Sequence, residues 1–212
     1  MLNVIAAGAM LLSTLGGAPA PGTHIVAPPD DDMTISVVSA NGSGCPQGSA
    51  VVEVSPDNKA FTVSYSKFIA EVGPQSGALD YRKQCQIALN VLIPSGYTYG
   101  IARADYRGYA RLEAGATASE TAFYYFQGMS KTGVSKYQFS GFMDDSWQVT
   151  DEVEVEAITW LPCGSSRYLN INTELKVNRG WSNKSTTSFI TMDSSDLNLD
   201  TIYRVAWKQC PF

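Results

Sequence analysis

The stretch "LNINTELKV", residues 169–177, reads in steps of two. Leu169, Ile171, Thr173, Leu175 and Val177 alternate with Asn170, Asn172, Glu174 and Lys176. Successive side chains of an extended chain point to opposite faces, so this period turns one set inward and the other to water. A helix would repeat its apolar positions every three or four residues instead. The period of two recurs at Phe61, Val63 and Tyr65, at Cys85, Ile87, Leu89, Val91 and Ile93, and at Tyr203, Val205 and Trp207. Turn-forming residues separate the runs, among them Ser55-Pro56-Asp57-Asn58, Gly73-Pro74, Pro94-Ser95-Gly96 and Asn178-Arg179-Gly180. "ARLEAGATASE", residues 110–120, comes nearest to helical spacing, but Gly115 and the Thr and Ser around it favour a loop.

These runs predict an all-β, single-domain antiparallel β-sandwich, jelly-roll-like, over residues 34–212. A chain of 212 residues, 44% hydrophobic and 17% charged, suits one domain with a sizeable core. There is no repeat of 20–50 residues and no linker within 34–212. The net charge of −5, with no offsetting block of Lys and Arg, argues against a nucleic-acid partner.

The N-terminus, "MLNVIAAGAMLLSTLGGAPA", has an apolar run from Val4 to Leu15 followed by Ala18 and Ala20 in A-x-A spacing. That pattern predicts a signal peptide over residues 1–20, too short and too rich in Gly and Ala for a membrane span. Residues 21–33, "PGTHIVAPPDDDM", are rich in Pro and Asp and predict a disordered leader or propeptide. The expected location is therefore outside the cell, secreted or associated with the wall, with no membrane span.

Cys45, Cys85, Cys163 and Cys210 form an even set that suits disulfides in a secreted chain. Three pairings are possible. Cys45–Cys85 and Cys163–Cys210 are expected because each would staple one half of the domain. A zinc site would want cysteines with two to four residues between them, and no pair has that spacing. The glycine- and serine-rich "NGSGCPQGS", residues 41–49, has no lysine for a phosphate loop and no base for a nucleophilic Cys45. It reads as a stapled turn entering the strand "AVVEVS". Asn41-Gly42-Ser43 and Asn183-Lys184-Ser185 are N-glycosylation sequons in turn-like sequence.

The single histidine, His24, lies in the expected leader, so neither a Ser-His-Asp nor a Cys-His pair is anticipated. Catalysis would fall to carboxylates. Glu152, Glu154 and Glu156 have the spacing of one strand face, which in a glycosidase would set acid and nucleophile about 5–5.5 Å apart. A solvated acidic strand face is the favoured reading of the same pattern. Calcium binding by these acids, or by Asp193, Asp196 and Asp200, has oxygen ligands but no D-x-D-x-D-G loop. No cofactor and no metal centre is expected.

Aromatic residues are numerous, and in β proteins most serve as core or cross-strand pairs. Trp181, in the turn "NRGWSN", is expected to be exposed and is the first choice for a ligand contact, followed by Tyr97 and Tyr99.

"GCPQGS", "SPDNKAFTVSYSKFIAEVGP", "RKQCQIALNVLIPSGYTYGI", "DYRGYARLEAG", "YYFQG", "LPCGSSRYLNINTELKV" and "WKQC" together resemble the secreted fungal and bacterial family catalogued as domain of unknown function 4360. The resemblance runs from about Gly44 to Cys210. It implies a secreted, disulfide-bonded single domain and supplies no catalytic residues. The expected function is a non-enzymatic β-sandwich acting at a cell wall or surface, binding polysaccharide or a surface protein. The alternatives are a carboxylate-based glycoside hydrolase or lyase, and a structural matrix protein or effector directed at a host protein.

Overall fold

The structure, a computed structural model, describes residues 24–130, 133–192 and 200–211. The expected signal peptide lies outside them. The strands are β1 (Thr34–Asn41), β2 (Ala50–Val54), β3 (Ala60–Tyr65), β4 (Ile69–Val72), β5 (Arg82–Leu92), β6 (Tyr97–Leu112), β7 (Thr117–Phe126), β8 (Gly133–Ser140), β9 (Met143–Glu152), β10 (Leu169–Asn178), β11 (Ser188–Thr191) and β12 (Thr201–Gln209). A short 3₁₀ turn, Val155–Ala157, is the only helical element among the described residues.

All the strand pairs are antiparallel and form two sheets. The five-stranded sheet has the order β1-β5-β10-β7-β8, and the seven-stranded sheet β2-β3-β12-β6-β11-β4 with β9 on the other side of β6. The β-sandwich expected from the period of two is thus the fold. "LNINTELKV" is its central strand β10, paired with β5 along one edge and β7 along the other. Its alternation becomes burial, with Leu169, Ile171, Thr173, Leu175 and Val177 in the core. Facing them across the sandwich are Phe61, Tyr65, Tyr99, Tyr106, Tyr203 and Trp207. Phe61 stacks on Tyr203 at 5.0 Å, and Tyr99 meets Phe126 edge-on at 5.3 Å.

"ARLEAGATASE" contributes the end of β6, a turn and the start of β7. Its loop character is confined to residues 113–116, where Gly115 takes a positive φ of 91°. Strand β1 slips register between Val37 and Ser39, a bulge at the outer edge of the five-stranded sheet.

Part of the expected disordered leader is held by the domain. Val26 bridges Trp207, and Met33 is buried in the core. Asn58 makes the attachment: its Oδ1 accepts the Met33 N–H at 3.0 Å and its Nδ2 donates to the Asp31 carbonyl at 3.0 Å. Composition alone did not reveal that the anchor is supplied from another turn.

Disulfides join Cys45 to Cys85 and Cys163 to Cys210, with Cα separations of 5.2 and 5.8 Å. They close segments with sequence separations of 40 and 47. Each constrains the unfolded chain by about 4 kcal/mol in the loop-entropy picture. The first is buried, whereas Cys163 is exposed and Cys210 half-buried. Mild reductant is therefore expected to open Cys163–Cys210 first, with Cys45–Cys85 opening only under denaturing conditions. Timed thiol alkylation followed by peptide mapping would show that order, and simultaneous opening would contradict it.

Candidate ligand-binding face

Sheet register decides which polar residues meet. On the outer face of the five-stranded sheet, one row across the strands holds Asn41, Gln86, Asn172, Phe123 and Val134. Successive rows bring together Gln84, Glu174, Thr121 and Lys136, then Arg82, Lys176, Ser119 and Gln138, then Asn178, Thr117 and Ser140. In the opposite direction, Ala88 is followed by Asn170 and Tyr125. The face is thus dominated by carboxamides and hydroxyls, with the Phe123 and Tyr125 rings two residues apart on β7. From Asn172 to Asn178 the rows extend about 20 Å at ~3.4 Å per strand residue.

Two shallow depressions, of about 440 and 310 Å³, lie along this track. The larger is bordered by Asn41, Gln84, Gln86, Phe123 and Asn172, the smaller by Ser119, Thr121, Lys136, Gln138 and Asn178, and Glu174 borders both. Glu174 is committed within the protein: it accepts from Arg82 Nε at 2.7 Å and from Gln84 Nε2 at 2.9 Å. Those bonds neutralise its charge and fix the Gln84 carboxamide, leaving the Gln84 oxygen as an acceptor. An amide side chain offers both donor and acceptor, so a row of them complements hydroxyl groups, which also do both.

Trp181 stands past the end of β10, beyond Asn178, and is 81% exposed. A Cβ placed on Gly115 would lie 2.3–2.7 Å from Cδ2, Cε2 and Cε3 of the indole. The ring therefore lies face-down on a glycine backbone, with its other face in solvent. Phe142, 75% exposed, is nearby through the same turn, since the Gly141 N–H donates to Ala116 O at 2.9 Å.

Several sequence-based expectations for the site are corrected. Tyr99 is fully buried, and Tyr97 is half-buried with its ring edge-on to Trp207, 6.3 Å away. Neither lies on the track or beside Trp181. The alternation through Glu152, Glu154 and Glu156 does not form a strand face, because β9 ends at Glu152. The Val153 N–H reaches Ala102 O, the chain leaves through the 3₁₀ turn, and it rejoins β6 where Trp160 bridges Gly100. Gly100 permits this return, since a Cβ there would meet Ile158 Cγ2 at 2.4 Å. Glu152 binds Arg103 Nη1 at 2.7 Å, while Glu154 and Glu156 are exposed outside the strand. His24 is exposed. Asp193 and Asp196 lie outside the described residues, and no group of three metal-ligating side chains occurs among the described ones.

The sequence reading missed two carboxyls. Glu120, inward-facing on β7, is fully buried, and neither oxygen has a hydrogen-bond partner among the described residues. Burial, reinforced by the charge of Asp151, pushes its carboxyl up to about 8. The phenols of Tyr65, Tyr106 and Tyr203 all sense its charge and are themselves driven upward, mainly by burial. Asp151, half-buried on β9, accepts from Tyr124 Oη at 3.0 Å, and burial raises its carboxyl too. Glu120 points into the core and is 0% exposed, so it does not reach the outer face and its effect falls on stability.

The second carboxyl, Asp105 on β6, is 1% exposed on the outer side of the other sheet. It accepts from Arg103 Nε at 3.0 Å and Nη2 at 2.8 Å and from Thr150 Oγ1 at 2.7 Å, with Arg204 at 3.5 Å. Burial works to raise this carboxyl, but the Arg103 and Thr150 bonds and the two guanidinium charges outweigh it and hold it below its ordinary value.

The fold and its surface define a two-disulfide β-sandwich with an open polar face that carries two shallow depressions. The chain belongs to the family described as Domain of unknown function (DUF4360), whose profile matches residues 31–210. A protein of Arthroderma benhamiae named "Uncharacterized secreted protein" is 32% identical over 184 residues, covering 87% of this chain and 74% of that one. The enzymatically active domain of bacteriophage CBA120 tailspike protein 4 aligns over 84% of this chain and 19% of that one, at 11% identity and a TM-score of 0.24. A likeness that slight carries neither fold nor function.

Proposed function

We propose that the protein is secreted and binds a polysaccharide along the outer face of the five-stranded sheet. One observation carries the reading: register gathers Gln84, Gln86, Asn172 and Gln138 on the same face as the Phe123 and Tyr125 rings. Carboxamides answer sugar hydroxyls, and aromatic rings cover the apolar faces of sugars. Trp181, backed by Gly115, provides an exposed aromatic platform at the end of the track. Glu174 is held by Arg82 and Gln84, so carboxamides and hydroxyls, together with Lys136 and Lys176, are what the face offers a polymer. The secreted relative and the two disulfides support an extracellular setting.

Co-sedimentation with insoluble chitin, cellulose and β-glucan tests this. The protein is expected to pellet with at least one of them. In protein made in a bacterial host, Phe123→Ala and Trp181→Ala should each weaken that retention roughly tenfold, as expected for losing one ring contact of about 1–1.5 kcal/mol. Glu154→Gln, outside the face, should bind as the parent does. No retention on any polymer, or full retention by both ring variants, would overturn the reading.

A further inference from the structure

We infer that Asn41 is a modification site: its N-linked glycan lies across the Gln86–Asn172–Phe123 row and occupies one end of the track. Asn41 heads the sequon Asn41-Gly42-Ser43 and is exposed at the end of β1, on the outer side of the sheet. It pairs with Gln86, which pairs with Asn172, which pairs with Phe123. Three strand spacings of ~4.8 Å put the Phe123 backbone about 14 Å away, within the span of a glycan's first few sugars. The intervening surface is the depression of about 440 Å³, which Asn41 itself borders. It offers carboxamides for the sugar hydroxyls and the half-exposed Phe123 ring for a sugar face.

The attachment point is rigid. A Cβ on Gly42 would lie 2.1 Å from Gln84 O, and the Ser43 hydroxyl accepts the Gln84 N–H at 3.2 Å. The first sugar therefore starts from a fixed position, and tethering gives the row a high local concentration of its ligand. Asn183 provides the contrast. It is exposed in a turn where its Oδ1 accepts the Ser185 N–H at 2.9 Å, and it borders neither depression of the track. A glycan there would extend into solvent.

Attachment and seating stand on this geometry alone, while their effect on ligand capture rests on the polysaccharide reading. The test is secretion from a fungal or yeast host, with glycopeptide mapping and timed endoglycosidase digestion of the native protein. Asn41 is expected to be occupied and its glycan released at least tenfold more slowly than after denaturation. Any glycan on Asn183 should be released at similar rates in both states. Ser43→Ala removes the sequon, and Ser43→Thr preserves it as a folding control. Ser43→Ala should bind polysaccharide several-fold more tightly than Ser43→Thr. An unmodified Asn41, or equally rapid release from native and denatured protein, would overturn the inference. A protected Asn41 glycan in a protein that binds no polymer in either form would uphold the seat and sink the polysaccharide reading.

Discussion

Replacing Glu120 by glutamine is expected to stabilise the fold by about 4 kcal/mol near pH 8.5 and to change it little near pH 4. In the folded protein the carboxyl titrates at about 8, against an ordinary value of 4.5. At low pH it is protonated in both states, so folding carries no penalty from it. As pH rises past 4.5 the unfolded chain ionises first, and the folded state loses ground through the whole window up to about 8. Above that value an anion sits between the sheets, facing Tyr65, Tyr106 and Tyr203, with Asp151 adding to the repulsion. Glutamine has nearly the same shape and no charge to bury. Urea unfolding of parent and variant across this pH range would measure the difference. Parallel stability curves would contradict it.

Asp105 acts in the opposite direction. Asp105→Ala is expected to cost about 3 kcal/mol near neutral pH, the range found when a buried charge pair loses one partner. The loss is tempered because Arg103 and Arg204 are partly exposed and recover water, whereas Thr150 loses its acceptor. The Asp105 carboxyl sits below its ordinary 3.8, so its contribution is present above that value and fades as pH falls through the folded one. The gap between parent and Asp105→Asn should accordingly close only in strong acid. A gap that stayed constant down to about pH 2 would show that the carboxylate's charge is not what matters. By themselves, these two carboxyls place the stability optimum at about pH 4–5, on the acid side of neutrality.

The fold was legible because its strands each bury one face, and a period of two records that directly. Residues 169–177 became β10 with every apolar position inside. The local cysteine pairing followed from the same picture of two stapled halves. The face was only half legible. Asn170, Asn172, Glu174 and Lys176 stood out as the outward set of one strand, but their neighbours Gln84, Gln86, Thr121 and Phe123 come from strands distant in sequence. Only register unites them, and no local pattern encodes register between β5, β7 and β10.

Glu120 shows a different limit. In "ATASETAF" it follows small residues that look like loop, and an acid at an inward position contradicts the rule that charges stay outside. The alternation Ala118, Glu120, Ala122, Tyr124 was nonetheless the correct one. The acidic alternation after β9 misled for the converse reason. Its periodicity was intact, but Trp160 returns to β6 at Gly100, so the chain must leave the strand after Glu152 to form that turn.

The bulge in β1 has a consequence for the molecule among its copies. An outermost strand offers a free row of amide and carbonyl groups, an invitation for another chain to extend the sheet. The extra residue at Val38 breaks the even spacing of that row midway along β1 and increases its local twist. An incoming strand could match one half of the edge and would then be out of phase with the other. The domain thus resists fibrous growth from this edge, and its broad polar face remains free for a partner of a different chemistry.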